Sequence, residues 1–410
     1  MQRAGLALLF LFFVSPALAF RLTGHFQSAY YLSQDKTLTD TSLNHIRQYQ
    51  TLSLLAADFG KAGKSRGFEL GTTVRLRSDF LRGPQKNAQF NFYNLYLGYE
   101  RLFGMLDWRI GRQFVAFPTV GTNLDGIFTR LRPAKRIELL GFYGASVNQI
   151  FPDRVSPVKE NQTWGASLAV STSPYFKLKA GWGARFFDGQ NRFRGGFGEL
   201  SYLYANWSIY GKMVYDRRTE QLVRSVFRLT LPRLKNLSTQ LEAANYKPVF
   251  YQNSIFSRLP AARYTDLRAA FDYPLSERLG LSAEPGMIIY DDQTGYRLDI
   301  GLKADAATFG YRRTGGLGRS YDGVFSQVTY QKGPFLFTGA FDLSQFRLVP
   351  DIADSLLDEE SRVANLLIGA GWQPQRPFLI EATYQVLSNP DFRYDNRLYL
   401  RVRWRFEVKN

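Results

Sequence analysis

The sequence predicts an all-β chain that forms a single transmembrane antiparallel up-and-down β-barrel of about 22 strands, within a range of about 18 to 22. Three observations support this fold class. Apolar and polar residues alternate in short segments along nearly the whole chain, aromatic residues make up 16% of it, and short and long links between segments alternate. No segment after the first twenty residues is apolar enough for a membrane-spanning helix.

The last predicted strand, LYLRVRWRF, shows the alternation most clearly. Leu398, Val402 and Trp404 lie on one face of an extended chain, whereas Arg401 and Arg403 lie on the other. Such a strand fits a barrel wall with lipid outside and water inside. The predicted strands cover residues 22–32, 48–58, 67–80, 90–100, 106–114, 127–133, 136–147, 164–171, 176–187, 195–204, 207–216, 222–231, 237–246, 265–275, 279–290, 295–304, 307–314, 323–331, 335–346, 363–373, 378–386 and 398–406.

The links between these strands alternate regularly between short and long. If the first strand runs outward, the links from even to odd strands are short, such as 205–206 and 332–334. The odd-to-even links include the long ones, at 33–47, 115–126, 148–163, 247–264, 347–362 and 387–397. Outer-membrane barrels have short periplasmic turns and longer outer loops, so this phase favours such a barrel over a soluble β-sandwich.

The first residues have the composition of a secretory signal peptide. Arg3 precedes an apolar run at 6–14, and Ala17-Leu18-Ala19 matches the small-residue cleavage pattern. We therefore expect residues 1–19 to be a signal peptide and residues 20–410 to be one barrel domain without a plug of its own. The chain has no cysteine, so disulfides do not stabilise it.

The chain carries a net charge of +17, which indicates anionic partners. Nucleic acid is not expected, because the chain is exported and has no recognisable binding motif. Strand alternation places more basic than acidic residues on the inward faces, where they either pair across strands or favour anions in the lumen. The basic residues expected to line the lumen are Arg75, Arg77, Arg109, Arg224, Arg228, Arg297, Arg401, Arg403 and Arg405.

A barrel of 22 strands is wide, with a backbone diameter of about 44 Å. Segments 147–163 and 347–361 are candidates to fold inward and narrow the opening, or else they lie in solvent as surface loops. The two histidines, His25 and His45, form no recognisable catalytic arrangement, and no metal or cofactor motif is present. We therefore expect neither an enzyme nor a bound cofactor.

The stretch LDWRIGRQFVAFPTVGTNLDG at 106–126 resembles porin-like outer-membrane barrels, notably the alginate-export family. In that family a G-R-Q ends one strand and a D-G begins the next. Here these residues are Gly111, Arg112, Gln113, Asp125 and Gly126. The resemblance implies a monomeric barrel with a basic conduit for an anionic solute or polysaccharide.

The chain departs from that pattern at its end. Such barrels usually end on an aromatic residue that the insertion machinery reads, whereas four residues follow Phe406 here.

Together these features predict a channel in the outer membrane of a Gram-negative (diderm) bacterium. It would pass small or polymeric anionic solutes through a basic lumen. Expected partners are outer-membrane lipid and lipopolysaccharide, the barrel insertion machinery and anionic solutes. The alternatives are a non-conducting scaffold, a component of a secretion or assembly complex, and, as a third reading, a barrel enzyme that uses His25.

Overall fold

The computed structural model describes residues 21–37, 42–59, 67–80, 89–147, 155–247, 262–316, 319–348, 361–389 and 392–409. The predicted signal peptide lies outside these residues. Within them the chain forms 22 strands, β1 to β22, and one short helix, α1. The strands are Arg21–Thr37, Ser42–Phe59, Gly67–Asp79, Gln89–Leu102, Leu106–Val115, Thr122–Ala134, Ile137–Ser146, Gln162–Ser173, Phe176–Phe187, Gln190–Tyr204, Trp207–Asp216, Gln221–Thr230, Ser238–Tyr246, Tyr264–Pro274, Leu279–Tyr290, Thr294–Ala304, Ala307–Gly316, Arg319–Lys332, Phe335–Leu348, Ser361–Gln375, Phe378–Asn389 and Phe392–Lys409.

Each strand pairs antiparallel with the next, and β22 pairs with β1 to close a barrel. The closing seam runs from Arg21 opposite Lys409 to Thr37 opposite Phe392. α1, at Val158–Asn161, forms one turn immediately before β8. In the described part of the chain, no helix has both the length and the apolar character needed to cross a membrane.

The predicted and observed strands correspond one to one in order, so the predicted fold class is confirmed. The long links predicted at 33–47 and 387–397 are wrong, because only residues 38–41 and 390–391 separate the strands there. Polar residues such as Gln34 and Asn44 pair opposite each other and extend the hairpin. The apolar alternation stops where the wall leaves the membrane, but backbone pairing continues.

The outward face of the wall is apolar. Exposed aliphatic and aromatic side chains such as Leu97, Ile110 and Phe227 cover its middle. Aromatic residues lie towards both ends of this band. Those near the short turns are Tyr204, Trp207, Phe335, Trp372 and Trp404, and those near the other end are Tyr30, Tyr143, Tyr215, Tyr311 and Tyr384. An apolar band between two aromatic girdles is the surface of a barrel that spans a membrane.

One glycine supports the closure of the barrel. Gly24 of β1 lies directly opposite Phe406 of β22, and the Phe406 ring covers the glycine. A Cβ atom at position 24 would lie only 2.0 Å from the tip of that ring. Glycine therefore allows an aromatic side chain to lie flat across the seam, at the strand that completes the barrel.

We expect Gly24→Val to lower the stability of the folded barrel by about 1–3 kcal/mol, because the Phe406 ring must leave its position over the seam. The loss can be measured as the urea midpoint of the folded, heat-modifiable band on gels. Gly198→Val is the matched control, since no atom lies within 4 Å of a Cβ built at Gly198. An equal loss in both variants would show that the seam contact does not stabilise the closure.

The lumen as candidate functional site

The inward faces of four adjacent strands, β22, β1, β2 and β3, form what we call the basic sector. Directly opposed residues of these strands form rows across the sheet. The arginines lie at the ends of the rows, on β22 and β3. One row is Arg401, Ala29, Tyr49 and Arg77, and the next is Arg403, Gln27, Thr51 and Arg75. A third row contains Arg405, His25, Ser53 and Thr73. Two columns of arginine thus face the lumen about 14 Å apart, with neutral side chains between them.

The arginines of the basic sector differ in their partners. Arg401 forms an ion pair with Glu381 of β21. The Nε of Arg75 donates to Thr51 Oγ1 at 3.2 Å, and its guanidinium lies 5.0 Å from the centre of the Tyr93 ring. Four arginines of the sector form no ion pair with a carboxylate among the described residues. They are Arg75, Arg77, Arg403 and Arg405. The sector therefore presents uncompensated positive charge to the lumen.

The other predicted lumen arginines are mostly compensated. Arg109 pairs with Glu69 at 2.7 Å, and Arg228 pairs with Glu242 at 2.6 Å. Arg297 donates to a carboxylate oxygen of Glu284 at 3.1 Å. Arg224 stacks over the Tyr246 ring at 5.4 Å and has no ion pair within the described ranges. The structure thus places all nine predicted arginines on the inward face but separates them into paired and unpaired groups.

The wall from β14 to β17 is the clearest compensated region. Arg268 pairs with Asp266, and Lys303 pairs with Asp272. Arg312 of β17 pairs with a carboxylate on the neighbouring strand, at 2.8 Å from Asp299. The two pairs that join different strands hold the wall together, and all three pairs cancel charge locally. This part of the wall therefore presents little net charge to the lumen, in contrast to the basic sector.

A short segment between β5 and β6, residues 116–121, folds into the barrel. We call it the inner segment. Phe117 and Val120 are each only 3% exposed. The Phe117 ring lies edge-on to Phe142 of β7 and Phe197 of β10, with ring centres 5.1 and 5.2 Å apart. The inner cluster consists of Val115, Phe117, Val120, Leu124, Leu140, Phe142, Phe197 and Val214.

Glycines on the inward faces of β8 and β9 make room for the inner segment. A Cβ at Gly165 would lie 3.0 Å from the Phe117 ring, and one at Gly183 would lie 3.1 Å from it. Next to this contact, Ser146 and Thr163 form a buried hydroxyl hydrogen bond of 2.7 Å. The inner segment therefore rests in a fitted recess and narrows the lumen on one side.

Sequence reasoning missed the inner segment. The segments expected to fold inward were 147–163 and 347–361, and residues 148–154 and 349–360 lie outside the described residues. Two features of the sequence could have indicated residues 116–121. It carries apolar Phe117 and Val120 inside a predicted loop, and inward strand positions on β8 and β9 are glycine. Without the strand register, neither feature shows which strands the loop contacts.

The five motif residues come together at the stems of the inner segment. Gly111 lies opposite Gly126, and Arg112 lies opposite Asp125. The side-chain amide of Gln113 donates to the carbonyl of Arg109 at 3.2 Å. These residues are therefore one structural unit rather than a lumen-facing binding site.

His25 lies in the basic sector, opposite Arg405 of β22 and Ser53 of β2. Within the described ranges, no three or more His, Asp or Glu side chains converge as metal ligands would.

No protein-family model and no curated protein sequence matches the chain. Solved structures do match it over almost its whole length. OccAB3 of Acinetobacter baumannii is 10% identical over 94% of this chain and 99% of its own, with a TM-score of 0.46. OpdQ of Pseudomonas aeruginosa is 8% identical over 95% and 99%, with a TM-score of 0.45. OpdK, an outer membrane protein of the same organism, is 8% identical over 95% and 99%, with a TM-score of 0.43.

These similarities concern overall architecture, and at such low identity they assign no solute to this chain. The closed 22-strand wall itself confirms the predicted barrel fold.

We expect Phe117→Ala to lower the stability of the barrel by about 3 kcal/mol, because it removes a buried ring from the inner cluster. The urea midpoint of the folded, heat-modifiable band measures the loss. Phe103→Ala removes the same side chain from a turn where it is 82% exposed, and should change stability by less than about 0.5 kcal/mol. Equal effects in the two variants would contradict the packing of Phe117 in the inner cluster.

Proposed function

We propose that this protein is a passive channel of the Gram-negative outer membrane that favours anionic solutes. The observation that carries the proposal is the basic sector, where Arg75, Arg77, Arg403 and Arg405 face the lumen without a described carboxylate partner. Arginines that line a pore attract anions and repel cations.

The shape of the lumen supports a path along the basic sector. The inner cluster occupies the wall from β5 to β11, so the inner segment narrows the opening on that side. The basic sector lies at the closing seam and carries no such apolar filling among its described residues. An anion that crosses the barrel therefore meets positive charge on one side and an apolar obstacle on another.

The solutes in this proposal are small or polymeric anions, and the class is set by charge rather than by a shaped pocket. The flanking columns of arginine lie about 14 Å apart along the wall, so they offer a charged surface to a hydrated ion or an extended acidic chain. On the outward side, the apolar band would contact membrane lipid and lipopolysaccharide. The barrel insertion machinery would deliver the chain to that membrane.

In planar bilayers we expect anion preference at low salt that disappears at high salt. At about 0.01 M the Debye length is about 30 Å, so the field of the basic sector reaches across the lumen, whereas at 1 M it is about 3 Å. The reversal potential across a salt gradient measures this preference. The double variant Arg403→Gln/Arg405→Gln should reduce the anion-to-cation permeability ratio by roughly twofold to tenfold at low salt.

Arg278→Gln is the control, because Arg278 lies in an exposed turn with 87% of its side chain accessible. It should leave the permeability ratio unchanged. Cation preference of the unmodified protein would overturn the proposal. A folded, inserted barrel that carries no current would favour the non-conducting scaffold instead.

A further inference from the structure

The wall parts between β4 and β5. Their ladder ends where Leu95 lies opposite Arg112. Beyond this point the rest of β4, residues 89–94, remains paired with β3 only, whereas β5 continues along β6 up to Val115 opposite Thr122. The upper part of the β5–β6 hairpin thus leaves its neighbour β4 and carries the inner segment into the barrel.

Gly111 provides the backbone conformation for this departure. Its φ of +120° lies in the region that favours glycine, and a Cβ there would lie 2.3 Å from the carbonyl oxygen of Leu95. Another residue would therefore collide with β4 at the last rung of the ladder. Gly111, one residue before Arg112, therefore determines where the two strands separate.

The Arg112 side chain bridges the parted strands. Its Nε donates to Asp125 Oδ1 at 2.6 Å, and one terminal nitrogen donates to Asp125 Oδ2 at 2.7 Å. The other terminal nitrogen donates to the backbone carbonyl of Phe92 at 3.0 Å. One guanidinium thus connects β4, on which Phe92 lies, to β6, on which Asp125 lies, across its own strand β5.

This bridge lies on the outward side of the wall and is shielded there. Arg112 lies opposite Leu95, an outward side chain, and Asp125 lies opposite Ala145. Even so, Arg112 is only 8% exposed. A buried, bidentate guanidinium–carboxylate pair has a fixed geometry, which an exposed pair does not have.

We propose that Arg112 is a positioning residue for the inner segment. Arg112 and Asp125 stand on the two stems of that segment, so their pair fixes the spacing of the stems, and the bond to Phe92 fixes the hairpin relative to the wall. Through this arrangement Arg112 holds Phe117 against β7 to β10 and sets the width of the aqueous path. The consequence for width rests on the proposed channel function, but the placement of the segment does not.

A disulfide trap tests the placement directly, because the chain contains no cysteine. A Cβ at Gly183 would lie 3.1 Å from Thr119 Oγ1, a spacing that suits a disulfide between Thr119→Cys and Gly183→Cys. In the folded barrel with Arg112 intact, we expect mild oxidation to cross-link this pair rapidly. Adding Arg112→Ala should slow cross-linking by roughly tenfold or more. Arg112→Lys, which keeps the charge but loses the bidentate fork, should also slow it.

Arg313→Ala is the matched control for the trap. Arg313 also forms an outward-facing pair with an aspartate on the next strand, Asp322, at 3.6 Å, but its side chain is 53% exposed. It should leave the cross-linking rate unchanged. If Arg112→Ala yields no folded barrel, Arg112→Lys and Asp125→Asn carry the test.

An unchanged cross-linking rate in folded Arg112 or Asp125 variants would overturn the inference. Single-channel recordings of the same variants form the second arm. Arg112→Ala should increase the fluctuation of the open-channel current relative to Arg313→Ala. Slow cross-linking in a protein that carries no current would leave the inference intact and reject the proposed function.

Discussion

The structure depends on one constraint: in the hydrocarbon of a membrane, every backbone N–H and C=O group must find its partner within the protein. A β-sheet meets this constraint only when its first and last strands pair, as β1 and β22 do from Arg21 opposite Lys409 upward. Closure then fixes the rest of the design. Each strand has one lipid face and one lumen face, so the charges of a strongly basic chain collect inside, where water solvates them.

The same constraint explains why an arginine stands where β4 and β5 part. Strands that separate leave carbonyl groups without a ladder partner, and such groups are costly in an apolar setting. The guanidinium of Arg112 has five N–H donors, enough to satisfy Asp125 and still reach the Phe92 carbonyl. A side chain thus replaces part of the ladder at the point where the hairpin turns inward.

The alternation of residues was sufficient to predict the number, order and facing of the strands, because lipid and water impose opposite demands on the two faces. It was not sufficient at the polar ends of the hairpins, where Gln34 and Asn44 pair without an apolar face. It also could not show that Arg228 meets Glu242 while Arg403 meets Gln27, since partners depend on the register between strands distant in sequence. The inner segment was missed for the same reason, because Phe117 contacts a wall that lies far along the chain.

Register also explains how the basic sector tolerates uncompensated charge. Neutral side chains of β1 and β2 separate its columns of arginine, and across about 14 Å of water the repulsion between two charges is about 0.3 kcal/mol. Within a column, Arg403 and Arg405 are about 7 Å apart, where the repulsion is about 0.6 kcal/mol in water. These costs are small beside the stability of a closed barrel of this size. The positive charges therefore need no carboxylate to hold them in place, which leaves them free to attract an anion from the lumen.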